Sequence, residues 1–168
     1  MRRVVANAKQ FSKLLEKNQG IIHKISIIYS GDSADKEDLF QEICLQLWKS
    51  YSSFNSDSQF STWLYRVSLN TAISHTRRRS TLLKHETPYS ETQIAAKGNH
   101  SDERVQALTQ AISRLNKIDR AIVLLWLEGE SYDEIAKIIG ITKSNVSVRL
   151  VRIKREIENI IHGSGRPS

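Results

Sequence analysis

The stretch at residues 131–155 constrains the fold most, because it predicts two short helices joined by a tight turn. Ser131 is predicted to cap the first helix and Gly140 to end it, since glycine adopts the left-handed backbone conformation at no steric cost. Thr142 is predicted to cap the second helix. In that helix, apolar residues recur at steps of four, three and four and therefore share one face: Val146, Leu150, Ile153 and Ile157.

The outward face of the second helix is mostly polar and partly basic, and it comprises Ser144, Asn145, Ser147, Val148, Val151, Arg152 and Arg155. A short helix, a turn with glycine and a second helix of this kind describe a helix-turn-helix for the DNA major groove. Pairs of apolar-faced helices joined at a glycine also occur in helical proteins that never bind DNA. The stretch by itself therefore leaves both interpretations open.

The length of 168 residues allows one domain or two small ones. Only two Pro and seven Gly are present, and alternation of the strand type is rare, so the fold class is predicted to be all-α. The formal net charge of +7, with a basic excess at both ends of the chain, fits a polyanionic partner, because Lys and Arg release counterions from phosphates. Simple solubility is the alternative explanation of this charge.

Sequence signals for catalysis or cofactor binding are weak. Cys44 is the single cysteine, which excludes an intrachain disulfide, and we predict that it is buried. The five histidines are scattered without the spacing of a metal site, and we expect them to face solvent. We therefore predict no enzymatic activity, no metal or cofactor and no small-molecule substrate. No run of about 18 apolar residues and no signal peptide occurs, so we expect a cytoplasmic protein without membrane insertion.

A strongly helical segment begins near Asp35 and ends near Tyr51. Its broad apolar side contains Leu39, Phe40, Ile43, Cys44, Leu45, Leu47 and Trp48. Its remaining surface carries Asp38, Gln41, Glu42 and Gln46. Acidic residues near a helix start also complement the helix dipole, which is the alternative to a binding role.

The next two segments combine polar, aromatic and basic residues. Residues 52–59 form a loop of small polar side chains with one aromatic, which suits an ordinary surface loop or hydrogen bonding to a base. Residues 60–79 predict a helix with one strip formed by Trp63, Arg66, Asn70, Ser74 and Arg77. Single-stranded nucleic acids bind such mixtures by stacking and phosphate contacts. The alternative is that the aromatics are core residues and that the basic end, residues 77–79, is a solvated helix terminus.

After residue 80 the helical periodicity is lost, and a new helical pattern begins at Glu103. We predict two small helical domains joined by a flexible linker: residues 1–80, a linker at 81–102, a second domain at 103–162 and a tail at 163–168. The second domain is predicted to be a four-helix unit that ends in the helix-turn-helix. Within it, Asp119 is predicted to cap a helix.

In this order, the helices at 38–48 and 60–79, the linker and the helix-turn-helix resemble the extracytoplasmic-function group of sigma-70 family RNA polymerase sigma factors. The resemblance extends from about Ile21 to Ile161. In the last part the chain matches the family pattern at Arg120, Glu128, Gly129, Tyr132, Glu134, Ile135, Ala136, Gly140, Val146, Arg149, Leu150 and Arg152. The combination of segments is specific, whereas the helix-turn-helix alone is not.

The resemblance implies bacterial core RNA polymerase, promoter DNA and an anti-sigma factor as partners. It implies that core polymerase is bound by Asp38, Gln41 and Glu42. It implies that the minus-ten element is read and melted by Phe54, Asn55, Asp57, Ser58, Trp63, Arg66, Asn70, Arg77 and Arg78. It implies that the minus-thirty-five element is read by Lys143, Ser144, Asn145, Ser147, Val148, Arg149, Val151 and Arg152.

The chain also departs from the family pattern. Ser74 stands where the family often has Asp, and residues 142–144 stand where it often has Pro-Glu-Gly. Val148 and Val151 are apolar on the outward face, so we hypothesise that they contact thymine methyl groups. The departures leave the promoter sequence undetermined. The competing interpretations are a free-standing helix-turn-helix repressor or activator and a helical interaction module without a nucleic-acid role.

Overall fold

The computed structural model describes residues 2–55, 57–85 and 103–163, and its helices form two compact units. The first unit contains α1 (Arg2–Tyr29), α2 (Ser33–Ser50), a 3₁₀ turn (Tyr51–Ser53) and α3 (Phe60–His85). The second contains α4 (Glu103–Arg114), α5 (Lys117–Leu127), α6 (Tyr132–Ile139) and α7 (Lys143–Gly163). Every regular element in the described ranges is helical, which confirms the predicted all-α class and the four-helix second unit.

The three helices of the first unit pack against one another around an aliphatic core. Its fully buried side chains include Ile22 and Ile25 of α1, Leu39, Ile43 and Leu47 of α2, and Leu64 and Leu69 of α3. On α2 the steps of four place the core residues on one side, as the periodicity predicted. The opposite side of α2 is thereby turned outward.

The start of α2 lies close to Asp35, where the sequence predicted that a helix begins. Asp32 is the N-cap, and its side chain accepts a hydrogen bond from the Asp35 N–H at 2.8 Å. Gly31 precedes it at a close approach, because a Cβ at this position would lie 1.9 Å from Nη1 of Arg79. The glycine therefore makes room for a side chain of α3.

The helix predicted over residues 60–79 is longer in the structure, where α3 continues to His85. The hydroxyls of Ser80 and Thr81 donate hydrogen bonds to the carbonyls of Thr76 and Arg77, at 3.0 and 3.1 Å. Hydroxyls that bond to the carbonyls of the preceding turn are compatible with an exposed helix that has no apolar face. The loss of apolar periodicity therefore did not mark the end of α3. The rest of the predicted linker, 86–102, lies outside the described residues. At the other end α7 includes Gly163, and the remaining tail, 164–168, lies outside them as well.

In the second unit α7 packs against α4, α5 and α6. The core is again aliphatic, with Ile122, Leu125, Ile135, Val146, Leu150 and Ile153 at its centre. Lys154 adds a contact at the edge, with its Nζ 4.3 Å from the centroid of the Trp126 ring. The apolar face predicted for the second helix of the helix-turn-helix is confirmed.

The helix ends of the second unit follow the predicted capping with one exception. Ser131 Oγ accepts from the Glu134 N–H, Thr142 Oγ1 accepts from the Asn145 N–H, and Gly140 ends α6 with φ of 82°. The prediction that Asp119 caps α5 is wrong. Asn116 is the N-cap, and its side-chain oxygen accepts from the N–H groups of Ile118 and Asp119. Asp119 is the third residue of α5 and not its cap, and its carboxylate is buried within the unit.

Two further expectations concern burial and membranes. Cys44 was predicted to be buried but is only half-buried, and this partial burial raises the pKa of its thiol. Across the described ranges, none of the helices has both the length and the apolar character that crossing a membrane requires.

Substituting Gly140 by Ala should destabilise the second unit by about 1–2 kcal/mol, because an L-residue is strained at a positive φ. Substituting Gly20 should have the opposite sign. It lies within α1, where a Cβ would meet nothing within 4 Å, so Gly20→Ala should stabilise the first unit by about 0.5–1 kcal/mol. Urea unfolding followed through the indole signals of Trp48, Trp63 and Trp126 separates the two units. Equal signs for the two variants would contradict the assigned backbone conformations.

Candidate polymerase and promoter interface

The outward side of α2 carries a mixed polar and apolar stripe. Asp38, Gln41, Leu45 and Trp48 follow one another at steps of three, four and three and are all exposed. Leu45 was predicted to belong to the apolar side of this helix, but its side chain is 49% exposed. Exposed apolar groups bordered by polar ones are typical of docking surfaces. The stripe therefore extends the predicted docking residues Asp38 and Gln41 by an apolar part.

Glu42, the third predicted docking residue, is half-buried and engaged within the unit. Its Oε2 lies 2.8 Å from Nδ1 of His75, and its Oε1 accepts a hydrogen bond from Nη2 of Arg78. Both partners belong to α3, and Arg78 is itself a predicted promoter residue. If Glu42 contacted polymerase or Arg78 contacted DNA, the new contact would therefore compete with the ion pair between these two side chains.

The same side chains extend into a network between α2 and α3. His75 Nε2 lies 2.8 Å from Oδ1 of Asp35, so the imidazole bridges two carboxylates. Asp35 Oδ2 also accepts from Nη1 of Arg79 and from the Gly31 N–H, each at 2.7 Å. The expectation that the histidines face solvent is wrong for His75. No local pattern marked it, because its partners lie 33 and 40 residues away in the sequence.

The network shifts the pKa values of its members. Burial disfavours the charged forms, but it is outweighed by the hydrogen bonds and opposite charges. Bonds from His75 and Gly31 and the charge of Arg79 hold the pKa of Asp35 below its usual value. Bonds from Arg78 and His75 lower the pKa of Glu42, and the two carboxylates raise the pKa of His75 above 6.5. The three shifts thus all favour the charged forms, which are ionised carboxylates and a protonated imidazole.

An aromatic cluster connects the predicted base-capturing loop to α3. Trp63 lies between Tyr51, Phe54 and Phe60, with ring centroids 6.2, 5.2 and 5.3 Å apart. Phe54 and Trp63 are both half-buried, so each combines the predicted exposure of a stacking surface with the packing of a core residue. The ring contacts agree with the core interpretation, and stacking on a base stays a prediction.

The polar residues predicted to meet the minus-ten element are exposed. Asn55, Asp57 and Ser58 lie in the loop before α3, where the Asn55 side-chain amide donates to Oδ2 of Asp57 at 2.7 Å. On α3, the exposed side chains of Arg66, Asn70 and Arg77 follow Trp63 along one side. The loop and the strip are continuous at the aromatic cluster.

On α7 the outward face predicted for DNA is exposed. Ser144, Asn145 and Ser147 face solvent, and Val148 and Val151 are 68% and 53% exposed. Lys143 at the helix start forms an exposed ion pair with Asp133 of α6 at 2.8 Å. Two apolar side chains with this exposure have no role in the core of the unit.

Arg149 and Arg152, the remaining predicted DNA residues, meet at a buried carboxylate. Arg149 Nη1 lies 2.8 Å from Oδ1 of Asp119, and Arg152 Nη2 lies 2.8 Å from Oδ2. The Asp119 side chain is 1% exposed. Arg149 Nε also donates to the side-chain oxygen of Asn145 at 3.1 Å. No local sequence signal marks this role of Asp119, since a carboxylate 30 residues upstream of its partner leaves no periodic pattern.

No group of three or more metal-ligating side chains is close enough to hold an ion within the described parts of the chain. The carboxylates that cluster between α2 and α3 are occupied by cationic side chains instead.

Two family models match the chain. The model described as Sigma-70 region 2 matches residues 14–81, which lie in the first unit. The model described as Sigma-70, region 4 matches residues 105–157, which lie in the second. The two matches together cover most of the chain and follow the division into two units.

Curated relatives match over almost the whole chain. The ECF RNA polymerase sigma-E factor of Escherichia coli is 31% identical over 167 residues, with 90% of this chain and 86% of that protein covered. The RNA polymerase sigma-H factor of Pseudomonas aeruginosa is 27% identical over 167 residues, with 91% and 86% covered.

Solved structures share the fold. The sigma factor RpoE from Bartonella quintana, in complex with the anti-sigma factor NepR, aligns with a TM-score of 0.78 at 21% identity, over 92% of this chain and 98% of that one. CnrH in complex with the cytosolic domain of CnrY aligns with a TM-score of 0.67 at 20% identity, over 93% and 90%.

The stability of the first unit should decrease as the pH rises from about 6.5 towards alkaline values. The folded state raises the pKa of His75, so its contribution is complete below the unfolded value of about 6.5 and disappears as the pH rises through the folded value. Asp35 and Glu42 have lowered pKa values, and their contribution disappears at acidic pH instead. Urea midpoints measured at several pH values through the Trp48 and Trp63 signals should show the alkaline decrease.

The variant His75→Gln should flatten this decrease, because glutamine does not titrate. The exposed His162 of α7 offers a matched control, and His162→Gln should leave the profile of the first unit unchanged. A wild-type profile that is flat above about pH 6.5 would contradict the protonated bridge.

Proposed function

The chain belongs to the extracytoplasmic-function group of the sigma-70 family, and on that premise we propose how its two units divide promoter recognition. It is a sigma factor that directs RNA polymerase to promoters. The first unit docks on core polymerase and melts the minus-ten element, and the second reads the minus-thirty-five element. The observation that carries this division is that the two sets of promoter residues lie on exposed faces of α3 and α7, one in each unit.

Docking on core polymerase is assigned to the outward stripe of α2. Asp38 and Gln41 supply hydrogen-bonding groups, and Leu45 and Trp48 supply apolar area. Glu42 borders the stripe and ties it to α3 through His75 and Arg78. The docking helix and the promoter helix are therefore connected by charge, so that a partner on α2 contacts an element that also supports α3.

Melting of the minus-ten element is assigned to the loop and strip of the first unit. A base that leaves the duplex loses a few kcal/mol of stacking and pairing, and an aromatic surface with hydrogen-bonding groups offsets this loss. Phe54 and Trp63 offer the aromatic surface, and Asn55, Asp57 and Ser58 surround it with polar groups. Arg66, Asn70, Arg77 and Arg78 continue along α3 towards its basic end, where phosphates are favoured.

Reading of the minus-thirty-five element is assigned to the outward face of α7. Asn145, Ser147 and Arg152 can bond base edges, and Val148 and Val151 can contact thymine methyl groups. Lys143 and Ser144 stand at the start of α7, the end of a recognition helix that meets the bases. Arg149 lies deeper than Arg152 and supports the face from behind.

We further propose that the protein acts without catalysis of its own, in the cytoplasm, where promoter DNA and polymerase are found. We also propose an anti-sigma factor as a partner, since the similar sigma factor RpoE is bound to the anti-sigma factor NepR and CnrH is bound to the cytosolic domain of CnrY. A free-standing repressor or activator has less support, because it would leave the match to region 2 without a role.

The function is tested by transcription in vitro with core polymerase and genomic fragments. Addition of the protein should yield defined transcripts whose mapped starts share two upstream elements. The protein should also co-elute with core enzyme. Failure of both would refute the proposal, and the mapped promoters supply the DNA for the tests below.

The charge reversal Asp38→Arg should weaken binding to core polymerase without loss of helicity, because it inverts one end of the docking stripe. Glu16→Arg makes the same charge change at an exposed position of α1. It is the matched control and should leave the affinity near that of the wild type. Affinity is measured by fluorescence anisotropy of labelled protein titrated with core enzyme. Equal affinities for the two variants would remove Asp38 from the docking surface.

Arg77→Ala and Asn70→Ala should affect the minus-ten element in different ways. Loss of a phosphate contact at Arg77 should reduce the salt dependence of DNA binding by about one unit of slope for all sequences. Loss of a base contact at Asn70 should cost about 1–3 kcal/mol on the mapped element and nothing on a scrambled one. Holoenzyme binding to single-stranded minus-ten oligonucleotides at several salt concentrations distinguishes them, and the reverse pattern would exchange their roles.

A further inference from the structure

Asp119 is a buried acid at the back of the face that we assign to the minus-thirty-five element. It lies near the start of α5, and each of its oxygens is engaged. Oδ1 accepts from Arg149, while Oδ2 accepts from Arg152 and from the side-chain amide of Asn116. Its side chain is 1% exposed, so its bonds are made inside the protein.

Stability alone is a weak reason for a carboxylate at this position. Taking a carboxylate out of water costs several kcal/mol, and its attraction to the paired cations about offsets this cost. Apolar residues of similar volume often serve equally well or better. What an apolar residue cannot do is hold two guanidinium groups in a defined orientation, because it offers them no acceptor.

The groups held by Asp119 are residues assigned to promoter reading. Arg149 is bonded in turn to Asn145, so three members of the reading face are connected to one carboxylate. The side chain of Arg152 remains 60% exposed, and a guanidinium has five N–H donors, so one bond to Asp119 leaves donors for DNA. Two cations against one anion also leave the face positively charged.

We propose that Asp119 is a positioning residue for minus-thirty-five recognition, which orients Arg152 directly and Asn145 through Arg149 before DNA binds. The proposal rests on the assignment of the minus-thirty-five element to α7. Long side chains lose rotamer freedom when they bind, and an arginine that is already held loses less. Asp119 therefore contributes to sequence discrimination although it does not reach the DNA.

The test uses holoenzyme and the mapped promoter duplex, with its minus-thirty-five element either intact or scrambled. The ratio of the two affinities measures discrimination, and the affinity for the scrambled duplex measures non-specific binding. Asp119→Asn keeps the size of the side chain and removes its charge. It should reduce discrimination by about tenfold, the effect of one well-made base contact. Affinity for the scrambled duplex should stay equal or increase, because the face becomes more positive.

Asp133→Asn is the matched control. Asp133 holds Lys143, another residue of the reading face, but this ion pair is exposed at both side chains. The substitution removes the same single negative charge beside the same reading face, so non-specific affinity should again stay equal or increase. Discrimination should remain that of the wild type. A parallel loss in both variants would trace the effect to net charge and overturn the positioning role.

A double-mutant cycle tests whether Asp119 acts through the arginine. In an Arg152→Ala background, Asp119→Asn should cause a much smaller further loss of discrimination. An equal loss in both backgrounds would show that Asp119 acts independently of Arg152. A purely structural role would lower the affinities for intact and scrambled duplex together.

A measurement on the unmodified protein decides the matter if Asp119→Asn does not fold. NMR signals of the arginine side chains report rotation about the Nε–Cζ bond. In the DNA-free protein this rotation should be hindered for Arg149 and Arg152 and fast for Arg155, which is exposed on the same helix. Equally fast rotation in all three would overturn the proposal.

The outcomes separate this inference from the function on which it rests. If wild-type holoenzyme binds intact and scrambled duplexes equally, the assignment of the minus-thirty-five element to α7 fails. If the wild type discriminates and Asp119→Asn discriminates equally well, only the positioning role fails.

Discussion

The helices that carry the predicted promoter residues are joined to their neighbours by ion pairs of partly or fully buried carboxylates. Asp119 imposes the strictest form of this constraint. With 1% of its side chain exposed, it requires cations, and both come from α7. Ion pairs depend on direction more than aliphatic contacts do, so these two pairs restrict the orientation of α7 relative to α5. It also determines where two arginine side chains of the outward face are located.

The first unit meets the same demand with a different set of groups. Asp35 and Glu42 on α2 are balanced by His75, Arg78 and Arg79 on α3. Here the carboxylates are only partly buried, and one of the cations is His75, whose pKa the two carboxylates raise above its ordinary value. The connection between α2 and α3 therefore depends on pH. Each unit thus uses residues of its proposed functional surface in ion pairs between its own helices.

Much of the fold could be predicted from the sequence because helices are specified locally. Val146, Leu150, Ile153 and Ile157 occupy one face at the predicted spacing, and Ser131, Gly140 and Thr142 end their helices as expected. The errors have local causes too. Ser80 and Thr81 extend α3 by returning their hydroxyls to the backbone, and Asn116 takes the capping role expected of Asp119. The exposure of Val148 and Val151 followed directly from the helical period.

The sequence by itself determined the helical class, the helix-turn-helix and the residues that face outward, because helical periodicity and capping act over four residues or fewer. Only the tertiary structure decided what those residues bind within the protein. It turned Glu42 and Arg78 into partners, placed His75 between two carboxylates and brought Asp119 beneath Arg149 and Arg152. Such pairs join residues 30 or more positions apart in the chain, and it is the burial of apolar side chains that places their helices side by side.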